Sequence, residues 1–374
     1  MINVTKTYLP SKKKLKNYID EIYNTGWLTN NGPLNQKLEA KLKEYLGVKN
    51  IILVSNGTLA LQVAYKLLNL SGEVITTPFS FVATTSSQVW EGLTPVFADI
   101  NKDTYCIDSK KIEEKITEKT TAIVPVHVFG NACEVEEIER IAKKHNLKVI
   151  YDAAHAFDVK YKDESLLNYG DVSILSFHST KIFHTIEGGA LIFNDDALYE
   201  KAKKLINFGI TGPDNIECLG INSKMNEFQA AMGLCVLDEF DIIKNGRKKV
   251  YDHYVETFEE NDDIKLQKIN DNIKPSYAYF PVVFESEEIL LKVRQALNSK
   301  QIMPRRYFYP SLDRLCYLNN KQYMPISNDI SERILCLPMY DSLTKKELNK
   351  ITNIILETIE FNYNVNSEVA FTTR

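Results

Sequence analysis

The amino-acid sequence predicts an α/β fold built on a mostly parallel sheet of seven strands, followed by a smaller α+β domain. Between residues 50 and 195, seven short apolar runs alternate with helical patterns. Nearly continuous apolar runs of this kind are typical of parallel strands that are buried on both faces. After about residue 235 the pattern changes to long amphipathic helices with few strand-like runs. This change indicates a second, smaller unit.

The predicted elements follow one another in a regular order. The seven strands cover residues 50–54, 73–77, 95–99, 122–126, 148–152, 172–176 and 190–194, with helices between them, for example over 58–68 and 135–145. A strand over 277–284 and helices over 287–299 and 345–360 are predicted in the smaller unit. A loop over 211–225, which contains glycine and proline, joins the two parts. We therefore place an N-terminal arm and the large domain in residues 1–235 and the small domain in residues 236–374.

Composition and charge exclude several classes of protein. The chain has 374 residues, of which 44% are hydrophobic, a formal net charge of −4 and a pI near 6.0. Basic and acidic residues are mixed along the chain, so they form no cationic field suited to nucleic acid or to an anionic membrane. The N-terminus does not resemble a signal peptide, and no apolar run reaches roughly twenty residues. We expect a cytoplasmic protein that binds neither nucleic acid nor membrane.

The cysteines do not form a metal or redox motif. Six are present, at Cys106, Cys133, Cys218, Cys235, Cys316 and Cys336, without a Cys-x-x-Cys pair or a short Cys/His spacing. No metal site is therefore predicted. We expect reduced, structural thiols, while a nucleophilic cysteine beside a histidine in space stays open as an alternative.

Asp152 ends the predicted strand over 148–152. Its carboxylate is expected at the carboxyl edge of the sheet, where open α/β folds bind their ligands. A single aspartate after a strand is more often a loop cap than a catalytic group. His155, however, follows three residues later in Asp-Ala-Ala-His, near enough to reach the same ligand. The pair favours a functional site.

The segment Ser55-Asn56-Gly57-Thr58 lies where the first strand gives way to a helix. Backbone N–H groups and the positive end of the helix dipole favour an anion at such a place. The segment is therefore a candidate phosphate site. An ordinary helix N-cap explains the same residues equally well.

The segment Ser176-Phe-His178-Ser-Thr-Lys181 follows the strand over 172–176 and precedes Glu-Gly-Gly and the strand over 190–194. This order presents Lys181 at the sheet edge. A lysine becomes nucleophilic near neutral pH when it is partly desolvated or lies near positive charge. Considered alone, Lys181 is better explained as a solvated surface lysine, and only its neighbours favour catalysis.

In this order and spacing, Ser-Asn-Gly-Thr-Leu-Ala-Leu, Asp-Ala-Ala-His-Ala, Ser-Phe-His-Ser-Thr-Lys and Glu-Gly-Gly closely resemble segments of the DegT/DnrJ/StrS sugar-nucleotide aminotransferases. The resemblance extends from residues 26–33 through 222–231 to 337–344 and so covers almost the whole chain. It implies fold type I of the pyridoxal-phosphate-dependent transferases, the aspartate aminotransferase type. It also implies the cofactor, pyridoxal 5′-phosphate, with pyridoxamine 5′-phosphate as an intermediate.

The resemblance implies a role for each residue around the cofactor. It places the covalent attachment on Lys181, the partner of the pyridine nitrogen on Asp152, and the neighbour of the ring hydroxyl on His155. Phe81 falls where an aromatic side chain stacks on the ring. The phosphate contacts fall on Gly57, Thr58, Ser176 and Asn222, and the cofactor-binding residue His178 is close by. In this family the equivalent of Asn222 reaches into the neighbouring subunit's site. A homodimer with shared sites is therefore implied.

The resemblance also implies the reaction. L-glutamate leaves its amine on the cofactor, which then aminates a nucleotide-linked keto-sugar, and Lys181 moves the proton in each half-reaction. The lysine segment is most similar to that of members acting on dTDP-4-keto-6-deoxy-D-glucose, whose 4-amino product serves cell-surface polysaccharide. A 3-keto sugar and a UDP- or GDP-linked 4-keto sugar stay open. Trp27, Leu28 and Thr29, and less directly His184 and Arg305, are the expected substrate contacts, although Trp27 is equally explained as a hydrophobic anchor of the N-terminal arm.

Two other functions are considered. A cofactor-dependent sugar dehydratase of this family usually carries histidine in place of the attached lysine. A non-catalytic sensor of nucleotide sugars is expected to lack that lysine or to carry an added DNA-binding module. Lys181 is present and no such module is recognised, so both are less favoured than an aminotransferase.

Overall fold

The centre of the molecule is a sheet of seven strands. The structure is a computed structural model that describes residues 1–318 and 321–372, with side chains described as far as residue 362. The strands are Asn50–Val54 (β1), Glu73–Thr76 (β2), Thr94–Phe97 (β3), Thr120–Val124 (β4), Lys148–Asp152 (β5), Val172–Ser176 (β6) and Gly189–Phe193 (β7). All seven predicted strands are present, and their ends differ from the prediction by at most two residues. The α/β fold with a mainly parallel sheet is confirmed.

The spatial order of the strands brings several strand ends together. The order is β1-β7-β6-β5-β4-β2-β3, and β7 alone runs antiparallel to its neighbours in this sheet. Gly189, the first residue of β7, pairs with both Val54 and Ser176, the last residues of β1 and β6. Asp152 at the end of β5 pairs with Ile174 of β6. The segments that leave β1, β5 and β6 therefore meet at one edge, which is where open α/β sheets bind ligands.

Helices cover both faces of the sheet. They are Lys12–Thr25 (α1), Pro33–Leu46 (α2), Gly57–Leu67 (α3), Ala83–Trp90 (α4), Val135–His145 (α5), Asp196–Leu205 (α6) and Glu227–Asp238 (α7). Successive side chains of a strand point to opposite faces of the sheet. On one face, Ile52 of β1 packs in an apolar cluster with side chains of α3, and on the other, Leu53 packs in an apolar cluster with side chains of α2. This double burial explains why β1 is apolar at nearly every position.

The second part of the chain has its own apolar cluster. Its helices are Phe240–Phe258 (α8), Glu287–Ser299 (α9), Pro325–Arg333 (α10) and Lys345–Thr372 (α11), and its antiparallel sheet has the order β8-β9-β10 with strands Ile264–Leu266, Pro281–Phe284 and Ile334–Cys336. Tyr254, Val282, Leu290 and Ile355 are buried in this cluster. The predicted strand over 277–284 begins later, and the last helix continues beyond residue 360.

Short elements complete the fold. Two-stranded pairs are formed by Ile2–Asn3 with Ile302–Met303 and by Ile210–Gly212 with Asn215–Ile216, and Lys160–Tyr161 pairs with both Glu164–Ser165 and Ile273–Lys274. Single 3-10 turns cover Ser109–Lys111, Glu113–Lys115, Val128–Gly130, Leu166–Asn168 and Leu312–Arg314. Ile2 packs in the apolar cluster of the second part of the chain. The division into two domains at residue 235 stays a prediction. No helix among the described residues is long and apolar enough to cross a membrane.

Candidate active site

A cavity of about 250 Å³ opens at the sheet edge where β1, β5 and β6 end. Nine residues singled out from the sequence line it: Gly57, Thr58, Phe81, Asp152, His155, Ser176, His178, Lys181 and Arg305. They come from five separate parts of the chain, so their meeting is a property of the sheet topology. Other members of the wall are Thr84, Thr180, Glu187, Tyr279, Tyr307 and Phe308.

One end of the cavity is built to receive an anion. Helix α3 begins at Gly57, and the side chain of Asn56 caps it by accepting a hydrogen bond from the N–H of Leu59 at 2.8 Å. A Cβ at position 57 would lie 3.0 Å from the Cβ of Ser176, so any larger residue would crowd Ser176 and glycine suits this close approach. The first-turn N–H groups lack partners within the helix, and the hydroxyl-bearing residues Thr58 and Ser176 lie beside them. This arrangement suits a phosphate.

Asp152 provides a buried carboxylate in the same cavity. Only 5% of it is exposed. Its Oδ2 accepts a hydrogen bond from the hydroxyl of Thr84 at 2.8 Å, and its Oδ1 accepts one from the N–H of Ala154 at 3.1 Å. Burial raises the pKa of Asp152, while these two hydrogen bonds and the charge of Lys181 oppose the rise. Asp152 is therefore held in place at the cavity, and its bond to Ala154 also caps the loop that follows β5.

His155 presents a neutral imidazole. Its Nδ1 accepts a hydrogen bond from the N–H of Phe129 at 3.2 Å, which leaves the proton of the neutral ring on Nε2. Burial lowers the pKa of His155 well below its usual range, and Lys181 lowers it further. The ring stacks against Phe308 with the centroids 5.6 Å apart. His155 can thus donate a hydrogen bond without bringing a second cation next to Lys181.

Lys181 is partly buried between these groups and is not a solvated lysine. The turn that carries it is closed by a hydrogen bond from its backbone N–H to the carbonyl of His178 at 2.8 Å. Its Nζ donates to the hydroxyl of Tyr279 at 3.3 Å. Burial lowers the pKa of Lys181 to about 8, and Asp152 opposes the fall. A substantial fraction of the amine is therefore neutral and nucleophilic near neutral pH.

His178 lies in the cavity wall beside Ser176. Its Nδ1 is 2.8 Å from the hydroxyl of Thr180, and its Nε2 is 3.5 Å from a carboxylate oxygen of Glu187. These contacts orient the imidazole at the end of the cavity where the anion is expected.

The remaining sequence-predicted residues do not line this cavity. His184 is 1% exposed, its Nε2 lies 2.8 Å from the carbonyl of Tyr8, and its Nδ1 accepts a hydrogen bond from the N–H of Ile186. Both ring nitrogens thus lie against backbone atoms, and the substrate contact expected at His184 stays a prediction. Trp27, Leu28 and Thr29 are exposed outside the cavity. Asn222 is exposed as well and bridges to Asn207.

Sequence reasoning missed three residues that contact the predicted ones. Thr84 binds Asp152, Tyr279 accepts from Lys181, and the ring of Phe308 stacks on His155. Tyr279 and Phe308 belong to the second part of the chain. Local motifs carry no signal for such contacts, because they depend on how the two parts pack.

A second, larger cavity lies along the outer edge of β1. It has a volume of about 530 Å³ and is lined by amides and lysines such as Asn35, Lys43, Lys203 and Lys224. Glu39 in its wall has a pKa raised to about 7 because it is largely buried. This cavity combines no nucleophile with an acid and an anion site, so it is not the candidate active site. Among the described residues, no three His, Cys, Asp or Glu side chains cluster as metal ligands.

Comparisons with known proteins agree with this arrangement. Residues 10–356 match the model of the DegT/DnrJ/EryC1/StrS aminotransferase family. A dTDP-4-amino-4,6-dideoxy-D-glucose transaminase from Shigella dysenteriae is 44% identical over 361 residues, which are 95% of this chain and 98% of the relative. A protein of the same name from Escherichia coli is 40% identical, over 95% of this chain and 98% of its own length.

The solved structures show the same fold. The structure of DesI in the presence of its TDP-sugar product superposes with a TM-score of 0.92 and 27% identity, and the match covers 98% of this chain and 95% of that one. The predicted fold type, that of the pyridoxal-phosphate-dependent aminotransferases, is thereby confirmed. The family model matches most of the chain, and the chain is 44% identical to one of these transaminases. The chain therefore belongs to the DegT/DnrJ/EryC1/StrS aminotransferase family and is an aminotransferase.

Proposed function

We propose that this aminotransferase transfers the amine of L-glutamate to dTDP-4-keto-6-deoxy-D-glucose and forms dTDP-4-amino-4,6-dideoxy-D-glucose. The observation that carries the reaction type is the partly buried Lys181 amine between a carboxylate and a helix N-terminus in one cavity. The names of the relatives at 44% and 40% identity support the sugar and the nucleotide. The use of the product in a cell-surface polysaccharide and the cytoplasmic location stay predictions.

The cavity fits pyridoxal 5′-phosphate as the cofactor. The amides at the start of α3, with Thr58 and Ser176, would hold its phosphate, and Phe81 would cover its ring. When bound, the cofactor withdraws electrons from the carbon that carries the transferred amine and so makes its proton acidic. The Asp152 carboxylate would keep the pyridine nitrogen protonated, and the Nε2–H of His155 would donate to the ring hydroxyl. Both roles agree with the observed contacts, since Asp152 is a buried carboxylate and His155 carries its proton on Nε2.

Lys181 has two tasks in this proposal. Its neutral amine attaches the cofactor, and after displacement the same amine accepts a proton at one carbon and returns it at another. Both tasks need an amine that is partly neutral near neutral pH, which burial provides. A proton carrier with a pKa close to the working pH is also the most efficient one.

The first prediction concerns the pH dependence of cofactor attachment. The neutral amine attacks, and the pKa of Lys181 is lowered to about 8 from the ordinary lysine value of 10.5. The rate of covalent attachment to the apoprotein is therefore expected to rise with pH and to reach half of its plateau near pH 8. Absorbance of the Lys181 adduct in stopped-flow mixing measures this rate. A midpoint above pH 10 would contradict the desolvation of Lys181.

The second prediction concerns Arg305 at the cavity wall. This exposed guanidinium stacks on the ring of Tyr307 at 4.6 Å and has no carboxylate within ion-pair distance in the described part of the chain. We propose that it binds an oxyanion of the nucleotide sugar. Arg305→Gln is expected to raise KM for the nucleotide sugar about tenfold and to leave kcat nearly unchanged, as measured by initial rates.

The neighbouring Arg306 is a matched control. Its guanidinium donates to Glu287 and to the carbonyls of Ser331 and Glu332, so Arg306→Gln is expected to lower the melting temperature and to spare KM. An equal effect of both substitutions on KM would show that Arg305 has no special role at the substrate.

We also propose a homodimer with shared active sites. The segment 210–223 contains the hairpin of Ile210–Gly212 with Asn215–Ile216, followed by Asn222, and it lies outside the cavity of its own subunit. Its apolar side chains are exposed, Ile216 by 71% and Leu219 by 79%. Ser223 of this segment accepts the backbone N–H of Ser55 beside the anion site. A dimer would cover the apolar residues and bring Asn222 to the partner's phosphate. Mixed dimers of Asn222→Ala and Lys181→Ala subunits would test this by restoring one complete site.

One assay decides the proposed function. The protein with pyridoxal phosphate is incubated with glutamate and dTDP-4-keto-6-deoxy-D-glucose, and the new amine is located by NMR. We expect 2-oxoglutarate in equal amount to a sugar amine at C4. An amine at C3, or activity with only a UDP- or GDP-linked sugar, would overturn the substrate. Loss of oxygen from the sugar without formation of 2-oxoglutarate would indicate a dehydratase. Binding of the nucleotide sugar without turnover would indicate a sensor.

A further inference from the structure

The amine of Lys181 has one hydrogen-bond partner among residues 1–318 and 321–372. That partner is the hydroxyl of Tyr279, 3.3 Å from Nζ. Tyr279 belongs to the second part of the chain and lies 98 positions away in the sequence. We infer that Tyr279 is a positioning residue, whose hydroxyl holds the Lys181 amine whenever that amine is not bonded to the cofactor. The inference rests on the proposed function of Lys181.

The surroundings of Tyr279 fix its ring in place. The ring contacts His155 with a centroid distance of 4.7 Å, Phe129 at 5.5 Å, and Tyr307, edge to face, at 5.9 Å. Its backbone is held on both sides, because the buried Arg247 donates to the carbonyl of Ala278 at 3.0 Å and the N–H of Leu337 donates to the carbonyl of Phe280. A hydroxyl carried on such a rigid support can define the position of a flexible lysine side chain.

A neutral partner is the chemically useful one for this amine. A displaced lysine that paired closely with Asp152 would be stabilised as ammonium and would hold its proton, because an opposite charge favours the charged form. Burial and the nearby Asp152 charge act in opposite directions on Lys181. Burial also raises the pKa of Tyr279, so its hydroxyl stays neutral and accepts a hydrogen bond without forming an ion pair. Tyr279 thus keeps the amine near the reacting carbon and free to exchange its proton.

The test compares Tyr279→Phe with Tyr251→Phe. Each substitution removes one hydroxyl from an aromatic ring of the second part of the chain, but Tyr251 lies outside the cavity, where its ring contacts that of Phe280 with a centroid distance of 5.2 Å. Two quantities are measured: the single-turnover rate of the holoenzyme with glutamate and with 2-deuterated glutamate, and the pH midpoint of cofactor attachment to the apoprotein. The second readout reports on Lys181 without any turnover.

For Tyr279→Phe we expect a single-turnover rate about fivefold lower, the effect of one lost hydrogen bond. The deuterium isotope effect should increase, because proton transfer by a less well-held amine becomes slower than the other steps. The pH midpoint of attachment should fall by about half a unit, since the ammonium form loses an acceptor. Tyr251→Phe should leave the midpoint and the isotope effect at the wild-type values.

An unchanged midpoint and isotope effect in Tyr279→Phe, or equal changes in both variants, would overturn the inference. Melting curves show whether Tyr279→Phe folds. If Tyr279→Phe does not fold, 3-fluorotyrosine at position 279 changes the strength of the same hydrogen bond and retains the ring. An unaltered pH midpoint in that protein would count against the inference. Failure of the wild type to attach the cofactor would instead refute the proposed function, so the two failures are distinguishable.

Discussion

Replacing Lys181 with alanine is expected to lower kcat for transamination about a thousandfold or more, because the attachment point and the proton carrier are lost together. Within the described residues, no other lysine lines the cavity that contains Asp152 and His155, so no second amine can take over. Initial rates with glutamate and the nucleotide sugar measure the loss. Borohydride reduction followed by peptide mapping should give a pyridoxyl adduct on Lys181 in the wild type and none in the variant.

Two controls make this prediction specific. Lys143→Ala removes an exposed lysine that pairs with Glu139 on a helix surface, and its kcat should equal that of the wild type. Added methylamine should restore part of the rate of Lys181→Ala, because a small amine can enter the vacated space and carry the proton. A variant that retained wild-type turnover, or an adduct on a different lysine, would refute the role of Lys181.

The sheet was predictable because its strands are short and buried on both faces. In β1 and β7 nearly every residue is apolar, and a continuous apolar run bounded by loops has few other interpretations. The candidate site followed from the same property. Once Val54, Asp152 and Ser176 are recognised as strand ends, the common direction of β1, β5 and β6 places the residues after them at one edge.

Contacts between distant segments could not be predicted. The hydrogen bond of Thr84 to Asp152 joins residues 68 positions apart, and that of Lys181 to Tyr279 joins residues 98 positions apart. Neither Thr84 nor Tyr279 belongs to a local motif. His184 is the opposite case. It stands three residues after Lys181, which suggests a site residue, but both of its ring nitrogens are engaged by the backbone of Tyr8 and Ile186. A histidine near a motif is therefore not by itself evidence for a substrate contact.

Asp152→Asn is expected to lower kcat about 100- to 1,000-fold, which is the usual cost of removing one electrostatic group that acts on the reacting centre. The amide has nearly the shape of the carboxylate and can still accept from Ala154. In the proposed function the negative charge of Asp152 would keep the pyridine nitrogen protonated, and without that charge the ring would withdraw electrons less strongly. Single-turnover rates with glutamate measure the loss, and a rate within threefold of the wild type would contradict this role for Asp152.

The stability of the same variant should behave differently from its activity. Burial raises the pKa of Asp152, so ionisation is less favourable in the folded than in the unfolded state. The folded protein therefore loses stability as pH rises from the free aspartate value through the raised pKa, and the loss is complete above it. Asparagine has no charge to bury. At neutral pH we expect the Asp152→Asn apoprotein to melt at the wild-type temperature or above it.

Asp158→Asn is the matched control for this contrast. Asp158 is also largely buried, but it lies outside the cavity and forms an ion pair with Lys244 at 2.6 Å. Its positive φ of 59° suits asparagine as well as aspartate, so the substitution introduces no backbone strain. Breaking a buried ion pair leaves Lys244 uncompensated, and the melting temperature should fall while kcat is retained. Loss of activity with stability intact at Asp152, and the reverse at Asp158, would separate a carboxylate kept for chemistry from one kept for the fold.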